Sequence, residues 1–331
     1  MNILVTGACG FIGSHLVEKL VKKNHNVRAF TYYNSRNSHG WLDNIDKKIF
    51  KDLKVISGDI RDHDFLQQQT KKVDVIFHLA ALIGIPYSYY APKSYIDTNV
   101  TGTYNVLNAA KINNVSKTII TSSSEVYGTA QEVPILESHQ LSAQSPYAAS
   151  KIAADQLANS YHLSYGVPLT ILRPFNTYGP RQSLRAIIPT IISQILNNSK
   201  KINLGSLKPT RDFTYISDTV SAFVAALKSK KSVGETINIG SGNEISIKKL
   251  AELILKVANK KIIISNEKER KRPNTSEVAR LCCSNKNALK LLNWKPKYIG
   301  KKGMEIGIKE TINWFAKTEN LKKYQSNNFV V

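Results

Sequence analysis

The chain has few acidic residues for its number of basic ones. Its 331 residues include 24 aspartates and glutamates against 46 lysines and arginines, which gives a formal net charge of +22. The lysines lie in scattered pairs and short groups rather than in one basic tail. The sequence also lacks helix-turn-helix, zinc-finger and RNA-binding signatures, so we predict no nucleic-acid partner. We expect a lysine-rich surface with a few arginines placed to bind an anionic small molecule.

Cysteine and long apolar runs are also scarce. Three cysteines, Cys9, Cys282 and Cys283, do not make a disulfide framework, and the adjacent pair lacks metal-ligand spacing, so we predict no metal site. No run of about 18 apolar residues is present, which predicts no membrane span. Residues 2–6 have the pattern of a strand, with no basic region followed by an apolar signal segment. We therefore expect a cytoplasmic protein.

A glycine-rich turn follows this first strand. It contains Gly7, Gly10 and Gly13 and leads into a helical run over residues 14–22. In a strand, turn and helix of this kind, glycine lets the backbone approach a diphosphate, whose charge lies at the helix N-terminus. We predict a dinucleotide site whose first contacts are Gly7, Gly10, Phe11, Ile12 and Gly13.

The second strand, over residues 26–31, does not end in the acidic residue that usually binds the hydroxyls of the adenosine ribose. Polar groups follow it instead, with one arginine that could meet a 2′-phosphate, and they slightly favour NADP over NAD. Backbone contacts could also hold an unphosphorylated ribose, so either cofactor stays open. The predicted cofactor contacts in this stretch are Thr31, Tyr32, Asn34, Ser35 and Arg36.

The ends of later strands carry further candidates, because ligands collect at the carboxyl ends of strands in doubly wound sheets. Asp59 is placed to meet adenine, although an acid that only caps a turn would have the same pattern. Ala80 and Ala81 are small enough to pass beneath a cofactor. The other cofactor contacts that we predict are Ile60, Leu79, Asn99, Ser122 and Arg173.

The candidate chemistry lies in residues 122–151. Tyr147 and Lys151 are four residues apart at the start of a helical run, so they share one helix face. A neighbouring ammonium favours the phenolate and lowers the pKa of tyrosine from its usual value of about 10. Tyr147 could then accept a proton from a substrate hydroxyl. Taken alone, the same pair could also be a solvated helix face.

We predict an α/β fold, a doubly wound parallel Rossmann sheet with a smaller C-terminal substrate-binding lobe. Proline and glycine in residues 173–181 mark the boundary between the lobes. The predicted units are residues 1–175 with about 213–240 for the dinucleotide, about 176–212 with 241–320 for the substrate, and 321–331 as a loose tail. Apolar helix faces in residues 101–110 and 152–161 predict a homodimer.

With these pieces assembled, the chain resembles the extended short-chain dehydrogenases/reductases that modify nucleotide-diphospho-sugars. The matching segments span nearly the full length and are residues 7–13, 58–62, 78–81, 122–128, 147–151, 173–181, 211–218 and 272–280. The resemblance implies a tightly bound NAD(P)+ that is regenerated in each turnover, and no metal. The catalytic residues that it implies are Ser123, Ser124, Glu125, Tyr147 and Lys151.

Glu125 separates the reactions within this family. Sugar 4-epimerases typically have a small neutral residue here, whereas 4,6-dehydratases have a glutamate that removes the C5 proton once C4 is oxidised. Many dTDP-glucose 4,6-dehydratases place an acidic Asp where this chain has Ser124, and GDP-mannose 4,6-dehydratases resemble this chain in having Ser-Glu. Either Glu125 returns the proton to the leaving water or a water relays it. UDP-glucuronate decarboxylases also have Ser-Glu and stay an alternative, as does a non-enzymatic dinucleotide-binding protein that kept the fold.

The substrate contacts that the resemblance implies are Asn176, Arg181, Arg211, Arg272 and Glu277. Asn176 would hold a sugar or diphosphate oxygen, and Arg211 and Arg272 would clamp the diphosphate, although each could instead be a turn or surface residue. Residues 33–43, with 272–273 and 276–278, resemble the dehydratases that begin legionaminic acid synthesis. The predicted reaction is therefore 4,6-dehydration of GDP- or UDP-N-acetylglucosamine.

Overall fold

The computed structural model describes residues 1–267 and 273–324. The strands, in chain order, are β1 (Asn2–Thr6), β2 (Asn26–Tyr32), β3 (Leu53–Gly58), β4 (Val75–His78), β5 (Lys117–Thr121), β6 (Leu169–Pro174), β7 (Asn176–Tyr178), β8 (Lys201–Leu204), β9 (Thr210–Tyr215), β10 (Thr236–Ile239), β11 (Glu244–Ser246) and β12 (Ile263–Asn266).

The helices lie mostly between these strands. In chain order they are α1 (Phe11–Val21), α2 (Lys47–Lys51), α3 (His63–Gln69), α4 (Ile85–Tyr90), α5 (Pro92–Tyr95), α6 (Gly102–Ile112), α7 (Pro146–Tyr165), α8 (Ile187–Leu196), α9 (Ile216–Lys228), α10 (Ile247–Val257), α11 (Lys286–Leu292), α12 (Gly300–Phe315) and α13 (Thr318–Leu321). Two 3₁₀ turns, Gly40–Asn44 and Ser124–Tyr127, and a π-helical turn, Ile96–Thr101, lie close to the site described below.

The central sheet has seven strands in the order β10-β6-β5-β4-β1-β2-β3. All its neighbouring strands pair in parallel. Helices cover both faces, with α1 and α9 packed together on one and α3, α6 and α7 on the other. The apolar strands therefore bury both of their faces, as expected of a parallel sheet. This confirms the predicted doubly wound α/β fold.

The order of the strands reverses beside β1, since β2 lies on one side of it and β4 on the other. A crevice opens at such a point beyond the carboxyl ends of the strands. The glycine turn after β1, the loop after β4 and the Ser124–Tyr127 turn after β5 all emerge on this edge. The topology therefore brings the three predicted parts of the site together.

The second lobe is built from two small sheets and three helices. One sheet has the order β11-β9-β7, and β8 pairs in parallel with β12. Helices α8, α10 and α12 pack together beside them. The start of the predicted loose tail is packed, because the ring of Tyr324 contacts Trp314 and Phe315, with centroids 6.3 and 5.0 Å away. Residues 325–331 lie outside the described residues.

Within residues 1–267 and 273–324, no helix combines the length and the apolar character needed to cross a membrane. In the same residues, no group of three or more His, Cys, Asp or Glu side chains is arranged to hold a metal ion.

Candidate active site

A cavity of about 1410 Å³ lies beyond the carboxyl edge of the central sheet and extends to the second lobe. Ligand pockets usually have volumes of about 300–1,000 Å³. The larger volume suits two ligands held side by side, as a reaction between a dinucleotide and a nucleotide sugar requires. Both the glycine turn and the Tyr147 region contribute to its wall.

The glycine turn forms a close cradle at one end of this cavity. Gly7 has a φ of +67°, and a Cβ added there would lie 2.7 Å from the backbone nitrogen of Ala80. A Cβ on Gly13 would overlap the carbonyl of Gly7. Only glycine fits at these positions, so the backbone amides at the start of α1 face the cavity without side chains in the way. This geometry fits the diphosphate of a dinucleotide.

Most of the predicted cofactor contacts line the cavity. They are Gly7, Gly10, Phe11, Ile12, Gly13, Tyr32, Asp59, Ile60, Leu79, Ala80, Ala81, Ser122, Tyr147 and Lys151. Asp59 also holds the guanidinium of Arg61 through two pairs of atoms, at 3.0 and 2.5 Å. Arg61 thereby lowers the pKa of the Asp59 carboxyl. Arg61 lines the same wall and was not among the predicted contacts.

The residues after β2 are placed differently from the prediction. Thr31 is buried and bonds to Ser57 Oγ at 3.2 Å, because its side chain points into the sheet layer. Asn34 uses its side chain to close its own turn, donating to Ser38 O at 2.8 Å and accepting from Arg36 N at 3.1 Å. Among the described residues that line the cavity, Thr31, Asn34, Ser35 and Arg36 do not occur.

Asn99 and Arg173 are also structural in their contacts. Asn99, in the π-helical turn, accepts from Leu82 N at 2.8 Å and donates to Leu82 O at 2.9 Å and to Ser150 Oγ at 2.9 Å. It therefore holds the loop after β4 against α7 from behind the cavity. Neither Asn99 nor Arg173 is among the described residues of the cavity wall.

Arg173 is buried because it neutralises a buried acid. Its guanidinium lies 2.9 Å from Asp155 Oδ2, and the side chains are only 5% and 0% exposed. Asp155 also accepts from Ser122 Oγ at 2.8 Å, while Arg173 donates to Tyr127 Oη at 2.9 Å. A carboxylate without this partner would be costly at such a depth. The pair fastens β6 to α7 beneath the catalytic residues.

Tyr147 and Lys151 lie one turn apart at the start of α7. Ser145 caps this helix by accepting from Ala148 N at 3.1 Å, which fixes where the first turn begins. The Ser123 hydroxyl hydrogen-bonds the Tyr147 hydroxyl, and Lys151 Nζ donates to Thr121 O at 2.6 Å. All three side chains therefore converge at the end of β5.

Burial dominates the electrostatics of this pair. The sequence predicts that Lys151 lowers the pKa of Tyr147, but burial raises that pKa, the Ser123 hydrogen bond opposes the rise, and the Glu125 charge adds to it. Burial likewise lowers the pKa of Lys151 to about 8, against the opposing charge of Asp155. In the protein alone, Tyr147 is therefore a neutral phenol at neutral pH.

Glu125 lies in the wall of the cavity and is 8% exposed. It sits in the first turn of the Ser124–Tyr127 3₁₀ helix, where Ser123 Oγ accepts from Glu125 N at 3.2 Å. This turn begins directly after β5, so its residues face the space next to Tyr147. Ser123, Ser124 and Glu125 all line the cavity. A carboxyl, two hydroxyls and a phenol therefore share one end of it.

The far end of the cavity carries Asn176, Arg181, Arg211 and Glu277 in its wall. Asn176 Oδ1 is buried and has no hydrogen-bond partner among the described residues, which leaves an acceptor for a ligand. Arg211 Nη2 lies 3.2 Å from Glu277 Oε1. Arg181 Nη1 donates to Glu18 Oε2 at 2.8 Å and so joins the second lobe to α1. The predicted contact Arg272 lies outside the described residues.

Several wall residues were missed from the sequence. Tyr95 packs its ring edge-on to Tyr147, with centroids 6.2 Å apart, and Arg185, Ser38 and Asp43 line the cavity. No motif marks Arg185 or Tyr95. The signal for Asp43 was present but indirect, since an acid follows the acid-free end of β2 by a few residues.

Comparisons with known proteins identify relatives along the whole chain. A family model described as GDP-mannose 4,6 dehydratase matches residues 4–306. Human dTDP-D-glucose 4,6-dehydratase is 36% identical over 337 residues, which cover 98% of this chain and 92% of that protein. The UDP-N-acetyl-alpha-D-glucosaminuronate decarboxylase of Bacillus cytotoxicus is 33% identical over 338 residues, which cover 96% and 98%.

A solved structure shows the same arrangement. The UDP-glucuronic acid 4-epimerase of Bacillus cereus, in complex with UDP-glucuronic acid and NAD, superposes with a TM-score of 0.85 at 30% identity and covers 98% of this chain and 100% of its own. The three relatives are named for three different reactions on nucleotide sugars. The chain belongs to the GDP-mannose 4,6-dehydratase family of extended short-chain dehydrogenases/reductases, an enzyme family with NAD-dependent dehydratase, epimerase and decarboxylase members.

Proposed function

We propose that this protein is an NAD(P)-dependent nucleotide-sugar 4,6-dehydratase that acts on GDP- or UDP-N-acetylglucosamine. The observation that carries the proposal is the Glu125 carboxyl in the cavity wall, at the same end as Ser123 and Tyr147. Epimerisation at C4 needs only an acid or base for the C4 hydroxyl. Elimination also needs a carboxylate that reaches the proton on the next carbon.

The reaction begins at the C4 hydroxyl of the sugar. Tyr147 accepts its proton, and Ser123 orients the same oxygen through the hydroxyl that it places beside Tyr147. Bound NAD(P)+ supplies the hydride acceptor for C4 and later the hydride donor for C6. The C4 ketone acidifies the C5 hydrogen, and Glu125 removes it as a proton. The bond from C6 to its oxygen then breaks, and the product has lost one water.

Tyr147 must become a better base than it is in the protein alone. Burial raises its pKa, so the phenol holds its proton at neutral pH. The oxidised nicotinamide is positively charged and would lie against the same cavity wall. A positive charge beside a phenol favours the phenolate and lowers the pKa. Binding of the oxidised cofactor would therefore switch Tyr147 on.

The leaving water also needs a proton. Ser124 is 3% exposed and lines the cavity, but a serine hydroxyl is a feeble acid. Glu125 carries the proton that it has just taken from C5 and can return it to the oxygen on C6. We assign Ser124 to holding that oxygen by a hydrogen bond and Glu125 to both proton transfers.

Decarboxylation of a UDP-glucuronate-type sugar is the second candidate. Arg185 lines the cavity, and its Cδ would lie 3.6 Å from a Cβ on Gly84, beside the Tyr95 ring that contacts Tyr147. A guanidinium at this end of the cavity could bind the carboxylate of an acidic sugar. The decarboxylase of B. cytotoxicus is a relative of this chain. An acidic substrate would therefore depend on Arg185, whereas N-acetylglucosamine would not.

We also propose that the protein is a homodimer. Large apolar side chains are exposed on α6 and α7, including Tyr104 at 42%, Leu163 at 82% and Tyr165 at 57%. Two copies of this face would bury these side chains symmetrically. Sedimentation equilibrium should give twice the mass of the chain, and L163E should shift the equilibrium towards the monomer. A wild-type monomer at micromolar concentration would contradict this.

The experiment that tests the function is incubation of the purified protein with GDP-, UDP-, dTDP- and CDP-sugars, followed by mass spectrometry. A dehydratase removes one water, a decarboxylase releases carbon dioxide from a uronic acid, and an epimerase leaves the mass unchanged. We expect loss of one water from GDP- or UDP-N-acetylglucosamine. Carbon dioxide release without dehydration would instead support the decarboxylase.

A further inference from the structure

The segment after β2 folds back over the glycine turn and forms part of the cavity wall. Ser38, Gly40, Trp41 and Asp43 from this segment line the cavity together with Tyr32, the last residue of β2. In doubly wound sheets, the end of the second strand faces the hydroxyls of the adenosine ribose. The carboxylate that β2 lacks is therefore present in the wall, 11 positions later in the chain.

This wall segment is fixed to the glycine turn by its backbone. Trp41 N donates to Cys9 O at 3.0 Å. Gly40 has a φ of +59°, and a Cβ there would lie 2.8 Å from the same Cys9 oxygen. Leu42 is fully buried in the core on this side of the sheet. Asp43 is therefore carried by a turn that cannot shift without disturbing the diphosphate cradle.

The Asp43 carboxylate is also oriented within the turn. Its Oδ2 accepts from Ser38 Oγ and from His39 N, both at 2.9 Å. Ser38 Oγ in turn accepts from Gly40 N at 3.1 Å. These contacts hold a carboxylate and a hydroxyl side by side at the cavity wall. That is the pairing of acceptor and donor that two adjacent ribose hydroxyls require.

The outer side of the segment is braced by the C-terminal helices. The Trp41 ring lies 5.5 Å from the Trp314 ring and 5.7 Å from the Tyr324 ring, measured between centroids. The cation on this side, Lys323, lies 5.7 Å from the Trp41 centroid and also lines the cavity. The aromatic contacts stabilise the segment in one position, so its carboxylate is preorganised.

The candidate partner for a 2′-phosphate is badly placed. Arg36 is exposed, and it is not among the described residues that line the cavity. Its backbone nitrogen donates to Asn34 Oδ1 at 3.1 Å, which keeps Arg36 at the tip of the turn. Arg61, the other arginine on this wall, is already held bidentately by Asp59.

We propose that Asp43, together with Ser38, binds the adenosine ribose hydroxyls and selects NAD over NADP. This inference rests on the dinucleotide binding in the proposed function and goes beyond it by naming the cofactor and the residue that chooses it. A 2′-phosphate would place a second negative group against the Asp43 carboxylate. Like charges at that distance disfavour the complex, so the segment rejects NADP as well as accepting NAD.

The test is a pair of dissociation constants, for NAD+ and for NADP+, measured calorimetrically on the full-length protein freed of bound nucleotide and without any sugar. Wild type should bind NAD+ at least about tenfold more tightly. D43N should weaken NAD+ binding and bring the two constants close together, and S38A should act in the same direction but less. R36A is the control, and it should change neither constant.

Three results would overturn the inference. NADP+ could bind as tightly as NAD+ to wild type, R36A could selectively weaken NADP+ binding, or D43N could weaken both cofactors equally. The last result, with a lowered melting temperature in D43N and no effect of S38A, would make Asp43 a purely structural residue of the turn. The proposed function is tested separately, because a protein that binds NAD+ as expected but dehydrates no sugar would contradict only the dehydratase.

Discussion

The two ends of the cavity differ in how strongly the sequence determines them. At the catalytic end, every predicted residue lies in the cavity wall, because Ser123, Glu125 and Tyr147 sit on or next to regular elements. At the adenosine end, four of the five residues predicted after β2 turn away from the cavity, and the wall is made by Ser38 and Asp43. Spacing along a helix fixes geometry, whereas spacing along an irregular turn does not.

The largest expected effect is at the catalytic end. E125Q keeps the size of the side chain but removes the base, so dehydration should fall by about 10³-fold or more, while NAD+ binding and oxidation at C4 persist. Rapid-quench mass spectrometry should detect the 4-keto sugar that has not lost water. E132Q, at an exposed acid seven residues later, is the matched control and should keep full activity. Normal dehydration by E125Q would remove the basis for the assignment.

The ion pair beneath the site should matter more for folding than for cofactor binding. R173M leaves Asp155 buried without its partner and should reduce the free energy of unfolding by about 3–5 kcal/mol. The D155N/R173M double variant should recover part of this loss. R61M is the control, because the Arg61–Asp59 pair is 47% and 30% exposed and should contribute about 0–1 kcal/mol. Denaturant unfolding measures all three. Equal losses for R61M and R173M would show that burial does not distinguish the pairs.

The pH dependence of activity tests the charge of Lys151. Burial lowers its pKa to about 8, so its ammonium is present below pH 8 and is lost as the pH rises through that value. Activity that needs this charge should fall by about tenfold for each pH unit above the pKa. K151R stays charged over this range and should lack the alkaline fall, at a lower plateau. An unchanged alkaline limb in K151R would assign it to another group.

The smallest expected effect concerns the aromatic brace at the adenosine end. Y324A removes the ring that contacts Trp41 and should weaken NAD+ binding by about threefold to tenfold, with kcat at saturating cofactor unchanged. Y90A removes a tyrosine that is 77% exposed and should leave the dissociation constant unchanged. Calorimetric titration measures both. If Y324A lowers kcat and leaves the affinity intact, the brace does not act through the cofactor.

Much of the fold could be predicted from the sequence, because strand, glycine turn and helix alternate with clear apolar patterns. The parallel order and the return of β10 to the sheet followed from that alternation. Arg173 could not be placed, since its partner Asp155 is 18 residues away in the chain and only the packing of β6 on α7 brings them together. The pKa of Tyr147 was misjudged for a related reason. Helical spacing shows which charge is near, but burial depends on the whole fold.

The most direct test follows the hydrogen atoms of the sugar. UDP- or GDP-N-acetylglucosamine labelled with deuterium at C4 is incubated with the protein and NAD+ in ordinary water, and the product is examined by NMR and mass spectrometry. We predict that one water is lost, that the deuterium appears at C6, and that the C5 hydrogen comes from solvent. Deuterium that stays at C4 in a product of unchanged mass, with no label at C6, would contradict the elimination assigned to Glu125.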